Sequence, residues 1–248
     1  MKLAAIYNVY DGVELLRPSM KCLYDHVDLL IIVYQDVSNF GETDSPFADI
    51  EELGLLDKVI LVKFDPIVEM GGSMNERAKR NLGIDFARAN HCTHFLSLDV
   101  DEFYEDFGDA KRQFIRSGGK GSVCRMHTYF KTPTFRFDRP EDYFVPFIHE
   151  LRDETASGAS RYQFYVDPTR RVNEEDVVEL PIFMHHFSWV RKDIMRKARN
   201  SSATGIISNS TIMDDYNNPN LSEGFLLRNW GRKIVAVEDK FGLAPIFK

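Results

Sequence analysis

The sequence predicts an α/β fold, a mixed and mainly parallel sheet flanked by helices, and three observations lead there. Four continuous apolar runs recur in the first hundred residues, stretches suited to helix separate them, and the composition is that of an ordinary globular chain. Runs that are apolar at every position suit strands buried on both faces, as crossover helices require of a parallel sheet. A chain of 248 residues, 44% hydrophobic and 28% charged, holds a core without disulfides or metals. One domain over 1–248 is expected, with a first half over 1–110 and an elaborated second half over 111–248.

The strands are read in order. Residues 2–10 supply Leu3, Ala4, Ala5, Ile6 and Val9; residues 28–35 supply Leu29 to Val33; residues 57–64 supply Val59 to Val62; residues 93–98 end in Phe95-Leu96-Ser97-Leu98. With helices between them the pattern is β-α-β-α-β-α-β, which folds as right-handed crossovers. The clearest helix is 73–89. Ser73 and Glu76 form a capping box, Met74, Ala78, Leu82, Phe86 and Ala89 supply the buried stripe, and Arg77, Arg80, Asn81 and Arg88 fall on another face. Beyond residue 110, strands are expected at 122–130, 161–166 and 181–190, with a basic helix at 191–200. Aromatic, proline-bearing segments lie at 132–137 and 143–148, and the last forty-odd residues carry no regular pattern.

Composition narrows the function. Thirty-one Lys and Arg against 38 Asp and Glu give a net charge of −7, which argues against broad nucleic-acid binding. No Lys/Arg run suggests a membrane-surface patch. Three cysteines without a CxxC read as structural thiols of a reducing compartment. The opening MKLAAIYNVY is too short and polar for a signal peptide, and no stretch approaches the ~18 apolar residues of a membrane span. A cytoplasmic protein is expected, one that meets a membrane only through what it acts on.

The chemistry concentrates at the end of the fourth strand, in Leu98-Asp99-Val100-Asp101-Glu102-Phe103. Open α/β sheets bind ligands at this edge. Two carboxylates one residue apart repel each other and call for a positive partner. A hard divalent cation, Mg²⁺ or Mn²⁺, suits them because it takes oxygen ligands and leaves positions for phosphate. The bland alternative is an acidic loop that caps the next helix. A haloacid-dehalogenase-type phosphatase would place its aspartates after the first strand, with a threonine following, so it fits poorly.

Asp99-Val100-Asp101-Glu102-Phe103, preceded by His94-Phe95-Leu96-Ser97-Leu98, resembles the DxDEF signature of GT-A glycosyltransferases, especially family-2-like and family-92-like members. Ala5-Ile6-Tyr7-Asn8 resembles their first strand, and Asp28 to Asp36 their second, although the turn reads Gln35-Asp36-Val37-Ser38-Asn39 in place of the usual Asp-Asp-Gly. Asn75 to Gly83 resembles the helix carrying Arg-Asn near the nucleotide, and Met184 to Arg191 a downstream HH-S-W-V-R segment. The resemblance implies a Rossmann-like GT-A fold and metal-dependent transfer of a sugar from a UDP-, GDP- or TDP-sugar. Tyr7, Asn8, Asp36, Arg77, Arg80 and Asp99 would then contact the nucleotide. Asp99, Asp101 and His185 or His186 would hold Mn²⁺ or Mg²⁺. The acceptor would be a carbohydrate or lipid-linked glycan, as in polysaccharide biosynthesis, with no nucleic acid involved.

Adjacent strand residues point to opposite faces, so only one of His185 and His186 should reach the metal. An inverting transfer also needs a base for the acceptor hydroxyl. Asp142 before the aromatic strand and Glu150 at its end are the leading candidates, with Glu141 and Asp153 beside them. Two other classes compete. A sugar-nucleotide nucleotidyltransferase would open with a glycine-rich loop, which Tyr7-Asn8-Val9-Tyr10-Asp11-Gly12 does not provide. A non-enzymatic carbohydrate- or protein-binding module would leave the acidic loop merely solvated.

Overall fold

The computed structural model describes residues 1–43, 46–200 and 209–247. In chain order its elements are β1 (Leu3–Val9), α1 (Val13–Leu23), β2 (Leu29–Tyr34), α2 (Phe47–Ile50), β3 (Val59–Lys63), α3 (Gly72–Ala89), β4 (His94–Asp99), β5 (Glu102–Tyr104) and α4 (Phe107–Ser117). There follow β6 (Gly121–Phe130), β7 (Phe135–Phe137), β8 (Val145–Glu150), β9 (Val177–Trp189), α5 (Ile194–Asn200), α6 (Asn209–Tyr216), β10 (Leu226–Leu227) and β11 (Arg232–Ala236).

All the strands join one mixed sheet in the order β10-β11-β7-β6-β8-β4-β1-β2-β3, with β9 pairing with both β5 and β6. The nucleus is parallel: β1 lies between β2 and β4, and β3 flanks β2. β8 joins β4 antiparallel, and β6 runs parallel to β9. The apolar runs are continuous because both faces are covered. Leu3, Ala5, Leu30, Ile32, Leu96 and Leu98 enter one core with residues of α1 and α4, while Ala4, Ile6, Ile31, Val33 and Phe95 enter another with Ile84 and Ala87 of α3.

The helix expected over 73–89 forms, but its cap and buried face differ from expectation. Gly71 caps it, at φ 78°, without a side-chain bond. The residues turned inward are Asn75, Lys79, Arg80, Gly83, Ile84 and Ala87, and Met74 is exposed. The inward face is polar for its first two turns because those turns cover the carboxyl ends of the strands, and it becomes apolar only over the sheet. A Cβ on Gly83 would stand 2.3 Å from Ile6 Cγ2, so glycine permits the close approach that presses Lys79 and Arg80 against the strand ends.

Three other expectations change. Segment 161–166 is not a strand and contributes a single bridge, Val166 to Phe144. The strand expected at 181–190 begins earlier, at Val177. The tail supplies α6, β10 and β11, and Ile234, Leu227 and Ile212 pack with Phe130, Phe137 and Trp189. The three thiols are free, and among the described residues no helix is long and apolar enough to cross a membrane.

Candidate active site

β1 has neighbours that lead the chain away in opposite directions, and a cleft of about 350 Å³ opens at the carboxyl ends of these strands. Its lining brings together Asn8, Gln35, Lys79, Arg80, Asp99, Asp101, Glu102, Glu141, Arg170 and His186, with Trp189, Trp230 and Tyr143 as aromatic surface.

Each carboxylate of the motif has its own cation. Arg80, 1% exposed, meets both oxygens of Asp99 at 3.1 Å, and its other contacts are Glu76 at 2.8 Å and Ser97 Oγ at 3.0 Å. Glu102 is locked to Arg170 by both carboxylate oxygens, and its Oε2 accepts the Asp99 backbone N–H at 3.2 Å. Arg170 arrives on a short turn, Pro168–Arg170, capped by Asp167. Burial would lower the Arg170 pKa, but Glu102 and Asp99 outweigh it and hold it well above the usual value.

Asp101 is 1% exposed. Its Oδ2 pairs with Arg191, which donates also to the carbonyls of Phe187 (2.7 Å) and Val190 (3.1 Å). Lys197 stands 3.8 Å from the same oxygen. Oδ1 has no hydrogen-bond partner among the described residues, and His186 Nε2 lies 3.6 Å from it. Burial would raise the Asp101 carboxyl, yet Arg191, His186 and Lys197 hold it well below the ordinary carboxylate range. Asp99 is likewise lowered, Arg80 and Arg170 overcoming the effect of burial.

Strand alternation separates the two histidines. His186 lies opposite Thr128 and Glu102 and lines the cleft. His185 lies opposite His127 and Phe103, on the other face, where its Nδ1 meets Tyr129 Oη at 2.8 Å. His185 is therefore a packing residue of the opposite face and lies away from Asp101.

Burial lowers the pKa of His127, His149 and His185 from 6.5 to about 4. Between those values the unfolded chain binds protons that the folded chain does not, so stability present above pH 6.5 is lost as the pH falls. The urea midpoint should fall progressively as the pH drops from 6.5 toward 4.5. A flat midpoint over that lower interval would refute the burial of these imidazoles.

Other expected residues lie outside the cleft. Tyr7 faces the opposite core, its hydroxyl 2.9 Å from Ser19 Oγ, which donates to the Glu102 carbonyl at 2.6 Å. Asp36 pairs with Lys63 at 2.8 Å. Arg77 lies against Gly158. Asp142 carries an 82% exposed side chain and pairs with Arg232 at 2.8 Å. Glu150 pairs in register with His94, the first residue of β4, roughly 17 Å from the cleft at the strand's other end. Glu141 is instead the carboxylate that enters, with Oε1 accepting from Thr128 Oγ1 at 2.7 Å and Oε2 3.8 Å from Arg232.

Two cleft residues carried no sequence signal. Arg170 comes from a segment without a motif. Lys79 is 5% exposed, and its Nζ donates to the Val9 carbonyl at 2.7 Å; burial lowers its pKa to about 7.

No family model matches the sequence, and no curated protein matches it. Similar solved structures include residues 1–349 of S. aureus TarS in complex with UDP-GlcNAc, at 12% identity and TM-score 0.49 over 88% of this chain and 72% of that one. The same protein in complex with UDP gives 12% identity and TM-score 0.48 over 88% and 71%. A mannose-1-phosphate geranyltransferase from Thermus thermophilus gives 14% identity and TM-score 0.36 over 62% of this chain and 51% of that one. Each is a likeness of chain path only, and the functional reading rests on the cleft itself.

Proposed function

We propose that the chain is a glycosyltransferase that moves a sugar from a nucleoside-diphosphate sugar to a hydroxyl acceptor, a glycan or a lipid-linked glycan, as one catalytic unit. The observation that carries this is Asp101 Oδ1, a buried anionic oxygen that has no hydrogen bond among the described residues and lies 3.6 Å from His186 Nε2 in a polar cleft at the strand ends. A buried acceptor left in that state is costly and marks a place for a ligand.

A divalent ion fits that pair. One carboxylate oxygen and one imidazole nitrogen are donors that Mn²⁺ accepts, and the remaining positions suit phosphate oxygens. Among the described residues no group of three His, Cys, Asp or Glu forms a complete cage, so the donor's own phosphates would share the coordination. When bound, the ion supplies positive charge to the departing diphosphate.

The chain's own residues do the rest. Arg191 fixes the rotamer of Asp101. Lys197, which lines the cleft 3.8 Å from Asp101 Oδ2, adds a positive charge for phosphate. Arg80 holds Asp99 for the ribose hydroxyls. Glu141 takes the proton of the attacking hydroxyl in an inverting displacement, aimed by Thr128 and Arg232. Trp230 and Tyr143 offer the flat apolar faces on which sugar rings stack.

Thermal shift is the test. Nucleoside diphosphate with Mn²⁺ at about 100 times its Kd should stabilise the chain by about 2.7 kcal/mol, and neither alone should reach that. Asp101→Asn keeps the side chain's size and a hydrogen bond for Arg191 but should abolish the joint effect. It should also slow release of nucleoside diphosphate from a sugar donor by about a hundredfold or more. Full joint stabilisation in this variant would sink the metal assignment.

A further inference from the structure

The Asp101 carboxylate has two cations at one oxygen and no hydrogen bond at the other. Arg191 pairs with Oδ2, and Lys197 Nζ stands 3.8 Å from that same atom, beyond hydrogen-bond distance. Oδ1 has no hydrogen bond among the described residues. Arg191 has a second anion, Asp11, 3.4 Å from its Nε. The other motif acids are matched elsewhere, Asp99 on Arg80 and Glu102 on Arg170. Asp11, Asp101, Arg191 and Lys197 therefore form a set of four whose formal charges cancel. Arg191 is locked into the set by two backbone carbonyls, with a side chain 2% exposed, whereas the Lys197 side chain is 21% exposed.

The helix α5 holds Lys197 at the cleft. Just ahead of α5, the Lys192 N–H donates to Glu14 Oε1 at 3.0 Å. At its far end Glu42 accepts from Arg199 at 3.1 Å and from the Asn200 amide. The Glu42 carbonyl accepts the Ser38 N–H at 2.7 Å, so this clasp joins α5 to the loop after β2, and Ser38, Lys197 and Asn200 all line the cleft. Lysine presents its charge on a four-carbon stem, with three donors that can turn from one oxygen to another.

We propose that Lys197 is a charge gate on the ion site: in the empty cleft it bars a lone divalent ion from Asp101, and it turns to the diphosphate when the donor arrives, so that ion and donor bind only together. This rests on the nucleotide-sugar reading above. A divalent ion entering alone would leave two uncompensated positive charges among buried groups, where water screens them least. A diphosphate brings the missing negative charge and accepts the Lys197 donors in charge-assisted hydrogen bonds. Without Lys197 the other three groups carry one net negative charge, which attracts the ion by itself.

The experiment titrates Mn²⁺ into the full chain without nucleotide, reading free Mn²⁺ by electron paramagnetic resonance, and then titrates UDP and GDP calorimetrically at saturating MnCl₂. Lys197→Met should bind Mn²⁺ alone about tenfold more tightly than the parent, and the better of the two nucleotides about tenfold more weakly. A contact that served packing alone would not raise ion affinity when removed. Lys197→Arg keeps the charge, and Lys192→Met removes an exposed one that does not line the cleft; both should stay within about twofold of the parent in each titration. Unchanged or weaker Mn²⁺ binding in Lys197→Met overturns the gate. So does an equal rise in Lys192→Met, which is the signature of net charge alone. Either result leaves the nucleotide-sugar reading standing as long as UDP or GDP binds the parent. If neither binds, that reading and this proposal fall together. Lys197→Gln decides the matter if Lys197→Met fails to fold.

Discussion

Replacing Glu102 by alanine is expected to destabilise the fold by about 3–5 kcal/mol, the cost of leaving a buried charge without its partner. The Glu102 side chain is 1% exposed and that of Arg170 9%, and Arg170 meets both carboxylate oxygens. Arg170 also reaches the Ser97 carbonyl at 3.0 Å, so a short turn 68 residues away is fastened to the end of β4. Without Glu102, the guanidinium keeps its desolvation cost and loses most of what offsets it. The Asp99 backbone N–H loses its acceptor as well, which frees the turn that presents both aspartates. At roughly 2–4 °C per kcal/mol for a chain of this size, the melting temperature should drop by about 10 °C. The double variant Glu102→Met, Arg170→Met should recover much of that loss, because an apolar pair of similar volume leaves no orphaned charge. If Glu102→Ala stays within about 1 kcal/mol of the parent and the double variant is no better, the pair is not the fastening described.

The glutamate of the acidic motif is thus a structural clamp, and this shows what the sequence made legible. Motif and location were readable because they are local: a continuous apolar strand followed at once by its acidic turn. The parallel nucleus was readable for the same reason, since burial on both faces leaves runs such as Leu29 to Val33 with no alternation. The inward face of α3 was not. A hydrophobic stripe is a good guide only where a helix packs on apolar atoms, and the first turns of α3 pack on a polar cleft, so Asn75, Lys79 and Arg80 face inward while Met74 faces out. Strand alternation said that one of His185 and His186 would reach the cleft, but the pairing with β6 decides which one. Arg170 was beyond reach because nothing near it in the chain signals a partner 68 residues away.

The carboxylates of the second half pose the same question of register, and the answer carries the second large effect. Glu141→Gln should reduce turnover by about a hundredfold to ten-thousandfold, the range of a general base, with the Kd for nucleoside diphosphate and Mn²⁺ unchanged. The neighbouring residues have opposite surroundings. Asp142 is turned to solvent, whereas Glu141 lines the cleft with its carboxylate on the Thr128 hydroxyl. Thr128 is opposite His186 in the β6–β9 register, so base and proposed ion site share one strand pair. Glutamine keeps the Thr128 contact and the volume but has no basic oxygen to receive a proton, which isolates the chemical step from packing. Asp142→Asn is the control and should keep nearly full turnover. The assay is release of nucleoside diphosphate from a sugar donor in the presence of a hydroxyl acceptor, with Kd measured separately. Because an inverting displacement requires a base and a retaining one does not, the anomeric configuration of the product must be inverted. A retained configuration, or an Asp142→Asn loss matching that of Glu141→Gln, would remove Glu141 from this role and leave it a structural partner of Thr128 and Arg232.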